Sequence, residues 1–389
     1  MSSLILLLIV LSIFFCCRFY LQHPQRRVPI SVTGAKQRPP VARNLTALDF
    51  GKIKPYQGDP TQDVPAYSRS WKGSRYLMTM GIRKLDVNDW LIIDDLYPSA
   101  HRDKVARLQT PEREVVFQYL DGTYEACLEG LEIIVRYLTT RYPHVFVLEG
   151  DYVVNNIVGE RYRIQEPMDK HPLEVASLLV YEDVHILQEG SDQLYSLRAS
   201  AMSFPPGWTA EERIGMPIRE LHAPIPTWKE KLQVSMERSV KIACMYFVNM
   251  KVGGGVQRNN LFMQPTHENY HPGRLDAYPP CHSIKQVHLR MELQSLMRMP
   301  KTRALLFTVH PWIIPVTDLA NEPDKLEILW SQIRTYPDNF AEYKLRHLWG
   351  DVFEEFAKTV LNKASPQPRD EEGGGNSSAR APSKPATGF

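Results

Sequence analysis

Val287-His288-Leu289-Arg290-Met291-Glu292-Leu293-Gln294-Ser295-Leu296 alternates apolar and polar residues along its length, the period of an extended strand whose successive side chains point to opposite sides. Val287, Leu289, Met291 and Leu293 fall on one face, and His288, Arg290, Glu292 and Gln294 on the other. After Met299-Pro300-Lys301-Thr302-Arg303 a second β-like run covers residues 304–316, ALLFTVHPWIIPV. The pair reads as a hairpin of a mostly antiparallel sheet. A face carrying imidazole, guanidinium, carboxylate and amide fits two situations, a solvated exterior or the lining of a pocket.

Outward from this hairpin, Tyr124–Arg141 carries Leu128, Leu131, Ile134, Val135 and Leu138 at three- and four-residue spacing behind Thr123. That spacing predicts an amphipathic helix with Thr123 as N-cap. Residues 177–188 (SLLVYEDVHILQ) and 194–204 read as strands, and 228–250 as a long helix with Leu232, Met236, Val240, Ala243 and Phe247 on one side. Helices before, between and after strands give an α+β domain over residues 71–362. The chain has 389 residues, 43% of them hydrophobic and 10% aromatic, enough for a sizeable core.

The two ends read differently. Residues 4–17 are apolar apart from Ser12, and with Phe19, Tyr20 and Leu21 the segment 1–22 reaches bilayer-spanning length. A cleaved signal peptide competes with an anchor, but there is no basic stretch before the apolar run and no small-residue cleavage site after it. Arg18, Arg26, Arg27, Lys36 and Arg38 follow the segment, which places the body in the cytosol, with the endoplasmic reticulum as default membrane. Residues 23–70, with Pro24, Pro29, Pro39, Pro40, Pro55, Pro60 and Pro65, read as a semi-rigid spacer, and 363–389 as a disordered tail. Asn44-Leu45-Thr46 and Asn376-Ser377-Ser378 are glycosylation sequons, unused if the body is cytosolic.

Net charge is +2, and no basic stripe is interleaved with aromatics, which argues against a nucleic-acid partner. Of five cysteines, Cys16 and Cys17 lie in the apolar segment and Cys127, Cys244 and Cys281 are scattered, so no disulfide framework or cysteine-held cluster is implied. His267-Glu268-Asn269-Tyr270-His271 has the spelling of a zinc-hydrolase motif, but Pro265 and Pro272 oppose the helix that would set both imidazoles on one side. Gly253-Gly254-Gly255 follows a helix rather than joining a strand to one, and reads as a turn. In Leu221-His222-Ala223-Pro224-Ile225-Pro226 the prolines hold the backbone around an imidazole, as one would immobilise a ligand or base.

Tyr76-Leu77-Met78-Thr79-Met80-Gly81-Ile82-Arg83-Lys84-Leu85-Asp86, Asp89-Trp90-Leu91-Ile92-Ile93-Asp94, Tyr181-Glu182-Asp183, Phe204-Pro205-Pro206-Gly207-Trp208, the His222 segment and Leu289 to Leu296 with Met299-Pro300 occur in this order. The series resembles the haem-dependent oxidative N-demethylase α-subunit family over nearly all of residues 71–316. The resemblance implies a PAS-like, haem-binding antiparallel sheet flanked by helices. It also implies oxidation of a small secondary methylamine to the primary amine and formaldehyde, with electrons from NADPH through FMN and 2Fe-2S centres on a reductase partner. His222 is the expected axial ligand to iron, with His185, His288 and His310 in reserve. Arg290, Glu292 and Gln294 match the family's R-x-E-x-Q segment, with Leu293 where an arginine is usual. They are the expected catalytic residues, polarising O2, holding the amine or pairing with haem propionates, unless they form a structural ion pair. His310-Pro311-Trp312 departs from the usual Thr-Tyr. A haem-binding sensor or scaffold, and a zinc hydrolase at His267 and His271, are the other readings.

Overall fold

The computed structural model describes residues 46–62, 75–76, 81–190, 194–221 and 249–364. The expected anchor, the spacer other than 46–62, the tail beyond 364, and His222 with all but the last two residues of the expected 228–250 helix lie outside the described residues. Among the described residues no helix is long and apolar enough to cross a membrane.

In chain order the strands are β1 Arg83–Lys84, β2 Phe117–Tyr119, β3 Phe146–Glu149, β4 Tyr152–Asn155, β5 Glu160–Arg163, β6 Asp183–Glu189, β7 Tyr195–Ala201, β8 Val256–Gln264, β9 His288–Arg298 and β10 Leu305–Pro315. The helices are α1 Tyr97–Leu108, α2 Arg113–Val116, α3 Tyr124–Arg141, α4 Pro172–Leu179, α5 Ala210–Arg213, α6 Ile218–Leu221, α7 Pro323–Arg334, α8 Asp338–Tyr343 and α9 Arg346–Ala364. Among the described residues one antiparallel sheet runs β1-β8-β9-β10-β6-β7-β2, and β3-β4-β5 form a second. The mixed α+β class, a large antiparallel sheet flanked by helices, is as expected from the sequence.

The hairpin that opened the reading is β9 and β10. Its register pairs Arg290 with Ile313, Glu292 with Pro311 and Gln294 with Val309. Leu289, Met291 and Leu293 point away from these and are buried with Leu326, Leu329, Trp349 and Phe353 of α7 and α9. Each such side chain removed from water contributes about 1.5–3 kcal/mol. Further along the same side, Ile186 and Leu306 meet α3, where a side chain on Gly130 would stand 3.5 Å from Ile186 Cδ1. The glycine lets helix and sheet approach closely.

Helix α3 has the expected bounds, with Thr123 at the cap position, although the Thr123 hydroxyl donates to Leu120 O (2.6 Å) and caps no helical N–H. Residues 177–188 differ from expectation. Pro172 in the first turn, and His171 Nδ1 accepting from Leu173 N (3.2 Å), start helix α4, and the strand begins only at Asp183. All eight residues of α4 are buried, so its apolar run carries no period from which to tell helix from strand. The spacer reading is also corrected in part. Ala47, Leu48 and Ile53 are core residues, and Tyr56 N donates to Arg141 O (2.6 Å) while Arg141 Nη1 donates to Lys54 O (2.6 Å). A few well-placed apolar side chains dock a stretch whose prolines suppress periodicity. The triple glycine is a turn as expected, with Gly253 at φ +76°. A Cβ on Gly255 would meet Leu85 Cδ2 at 2.9 Å, where Leu85 N bonds Gly255 O to join β1 to β8.

Candidate functional site

The sheet's other face carries the expected residues. Arg290 and Glu292 are 1% and 4% exposed and Gln294 is half-buried, so of the two situations open to this face it is not a solvated exterior. Alternation on β9 sets all three side by side. Arg290 Nε donates to Glu292 Oε1 (3.1 Å), and Gln294 Nε2 and Asn260 Nδ2 donate to Glu292 Oε2 (2.9 and 3.1 Å). Both carboxylate oxygens are therefore engaged.

Arg290 does more than pair. Its Nη1 donates to Asn269 O (3.1 Å) and its Nη2 to Phe204 O (2.6 Å). Asn269 belongs to the His267–His271 stretch and Phe204 to the Phe204-Pro205-Pro206-Gly207-Trp208 turn. The two segments bond each other through Gly207 N to His271 O (2.8 Å) and His271 N to Pro205 O (3.0 Å). Asp183 Oδ1 takes the N–H groups of Ser203 (2.8 Å) and Phe204 (3.3 Å), so the Phe204 backbone is held from both sides. The guanidinium is a pin for two loops, and the ion-pair reading of Arg290 and Glu292 describes this geometry.

Beside the charged trio the face turns apolar. Leu187, Tyr195 and Leu305 are buried with Ile218 of α6 and Met250, and Leu221, Val256, Leu296 and Phe307 pack against them. Leu221, which directly precedes the stretch outside the described residues, and Met250, the second residue after it, thus both belong to this patch, and His222 follows Leu221 directly in the chain. His185 lies in the same row, paired in register with Phe307, which pairs with Leu296. Its ring stacks on Phe307 (5.4 Å, 27°), and its Nδ1 lies 2.9 Å from Ser200 Oγ on β7. Burial, and then the charge of Lys104, hold this imidazole down to about 3, so it is neutral at physiological pH.

The other reserve histidines stand elsewhere. His310 is on the opposite face, wholly buried, with Nδ1 2.9 Å from Glu182 Oε1 and Nε2 3.6 Å from Asp94 Oδ2. Burial alone would lower its pKa, but the Glu182 and Asp94 carboxylates overrule it and raise it to about 9. A protonated imidazole clamped by two carboxylates has no lone pair for iron. His288 sits at the end of the polar face near the loop histidine His267 (ring centroids 5.9 Å). The His267–His271 segment is not helical, and among the described residues no three His, Cys, Asp or Glu side chains gather as metal ligands.

Arg258 and Asn260 of β8, Lys344 after α8, and Ser200 were not anticipated. Gln257-Arg258-Asn259-Asn260 is uniformly polar and hides its strand period, and Lys344, in the turn between α8 and α9, reaches β8 through Leu261 O (2.9 Å). The protein is thus an α+β domain whose large sheet is closed by helices on one side and on the other sets a neutral imidazole and an apolar patch beside a charged corner. A family model described as haem-dependent oxidative N-demethylase, alpha subunit-like, matches residues 81–354, and the chain belongs to that family. The described residues fit the haem dependence in the family's name. An apolar patch suits a porphyrin face, His185 is a neutral imidazole whose second nitrogen is oriented by Ser200, and Arg258 has a buried Nε with no hydrogen-bond partner.

Proposed function

We propose that this protein binds haem on the inner face of its sheet, in a PAS-like domain, and oxidatively demethylates a small secondary amine. The observation that carries this reading is the row Val256-Leu296-Phe307-His185 beside Arg290, Glu292 and Gln294, in a member of this family. The PAS-like description is supported by the strand plan: β6 and β7 before a long connection, β8 to β10 after it, and the first and last of these five adjacent in the sheet.

Haem supplies the oxygen activation that oxidises an N-methyl group. Removing the methyl as formaldehyde, with one oxygen atom of O2 leaving as water, consumes two electrons and two protons. No nicotinamide, flavin or iron–sulfur motif is found in the sequence, so a reductase partner carrying FMN and 2Fe-2S and drawing on NADPH supplies the electrons. His222, the residue that follows Leu221 of the apolar patch, would hold the haem iron. His185 is the imidazole that the sheet adds to the same site. Gln294 stands where the charged corner meets the patch and faces the substrate, Glu292 sets the local charge, and Arg290 positions both by closing the two loops over the sheet. The segment 1–22 tethers the body to a membrane beside the reductase, which raises their effective concentration.

The test is an absorption spectrum of the full chain reconstituted with hemin, followed by NADPH-dependent formaldehyde release from dimethylamine in the presence of a reductase extract. A Soret band with formaldehyde supports the enzyme, and a Soret band with no turnover on any small methylamine turns the reading to a haem sensor. Colourless protein sinks both. His222→Ala is expected to abolish the band. Its survival there, with loss in His185→Ala, would move the ligand to the sheet.

A further inference from the structure

The charged corner holds more positive than negative charge. Arg258 on β8, Arg290 on β9 and Lys344 surround Glu292, whose charge reaches both Arg258 and Lys344, while a second carboxylate, Asp183, acts on Arg290 and Lys104. Glu292 already accepts three hydrogen bonds, from Arg290, Asn260 and Gln294. Lys344 Nζ donates to Leu261 O (2.9 Å) and otherwise faces the rings of Phe262 (5.9 Å), Phe340 (5.5 Å) and Tyr343 (5.8 Å). Arg258 Nε is buried without an acceptor. A half-buried guanidinium with an idle donor, next to an ammonium that burial pushes down to about 8, marks a place where an acceptor is missing.

Both cations are short of a counter-charge, and a protonated amine placed among them would be repelled. Arg290, the residue expected to meet haem propionates, already donates from each of its three nitrogens, to Glu292, Asn269 and Phe204. We propose that Arg258 and Lys344 form a receptor for a carboxylate of the bound ligand. The proposal rests on the haem reading above and adds to it the chemistry of one end of the site. Arg258 lies three strands from His185, roughly 14 Å across the sheet, and in the adjoining row: Arg258 is in register with Gln294 and Val309, His185 with Phe307 and Leu296. The carboxylate comes from one of two sources, a haem propionate or an amino-acid-like N-methyl substrate.

The experiment has two arms on the full chain, as wild type, Arg258→Gln and Lys344→Gln. In the first, hemin and hemin dimethyl ester are titrated and followed by the Soret band. In the second, N-methylglycine and dimethylamine are titrated by calorimetry into the chain with and without hemin. If propionate is the source, wild type prefers hemin over its ester by roughly tenfold or more, and each variant loses that preference. If substrate is the source, hemin and ester bind alike, and N-methylglycine binds at least tenfold tighter than dimethylamine in wild type only. The ratio of two ligands within one protein separates loss of the receptor from loss of the fold. Equal affinities in both arms overturn the proposal. A chain that takes up neither porphyrin but still selects N-methylglycine through Arg258 keeps the receptor and discards the haem reading, whereas one that binds nothing discards both.

Discussion

Two histidines on neighbouring strands, His185 of β6 and His310 of β10, are both almost fully buried, yet one is driven to about 3 and the other to about 9. Burial acts on both in the same direction, disfavouring the imidazolium. What differs is the face. On the face that carries Arg290 and Glu292, His185 meets a hydroxyl and a phenyl ring, neither of which compensates a positive charge. On the closed side His310 lies between two carboxylates, with Trp312 Nε1 donating to one of them (Asp94 Oδ2, 3.2 Å) and Ile92 N to the other (Glu182 Oε1, 2.9 Å). One sheet thus keeps a neutral imidazole on one face and a charge clamp on the other. The clamp holds the segment after Trp90 and the start of β6 onto β10.

The largest test of this contrast is His310→Ala, which leaves the two carboxylates facing each other without a cation. Loss of about 3–5 kcal/mol is expected from denaturant midpoints, and a loss below 1 would show that the clamp is no more than packing. Next comes its pH dependence. The folded value lies above the ordinary 6.5, so the clamp's stabilisation is complete below about 6.5 and disappears as pH rises through 9, about 3 kcal/mol in all. The difference between wild type and His310→Gln should shrink over that window.

Arg290→Lys keeps the charge but cannot reach Glu292, Phe204 and Asn269 together. It should cost about 2–3 kcal/mol and speed proteolysis at the Phe204 and Asn269 loops, and unchanged cleavage there would remove the pin. His185 has the opposite sign to His310, since its folded value is depressed. Its contribution is present above about 6.5 and falls away as pH drops toward 3, by up to about 1.4 kcal/mol per pH unit. His185→Asn should flatten that acid limb. Smallest is Ser200→Ala, costing about 1 kcal/mol, with a larger effect on the haem spectrum than on stability if the ring's orientation is what the hydroxyl supplies.

The closed side was the more legible in the sequence. Alternation over 287–296 names the residues that meet α7 and α9, and the spacing of Leu131, Ile134 and Leu138 locates α3 residue by residue, because burial against one partner imposes a period. The opposite face yielded its trio by the same alternation but not the contacts they make. Arg290 acts on backbone carbonyls of Phe204 and Asn269, and carbonyls leave no mark in a sequence. Asp94 and Glu182 read as ordinary charges within two motifs until the fold brings them to His310. Lys104, which donates to Ser177 O, Val180 O and Glu182 O from within the core, looks like a solvated charge on α1. Residues 177–182 were misread because a segment buried on every side has no pattern to read.

The pin at Arg290 makes two stretches far apart in the chain mechanically one part. Since its guanidinium and the ladder from Gly207 to His271 lock them together, the Phe204–Trp208 turn and the 267–271 loop should be exchangeable between related proteins only as a matched set. A chimera that transplants one without the other would inherit a buried cation with a single anchor, and would pay in folding yield before any difference in chemistry could be measured.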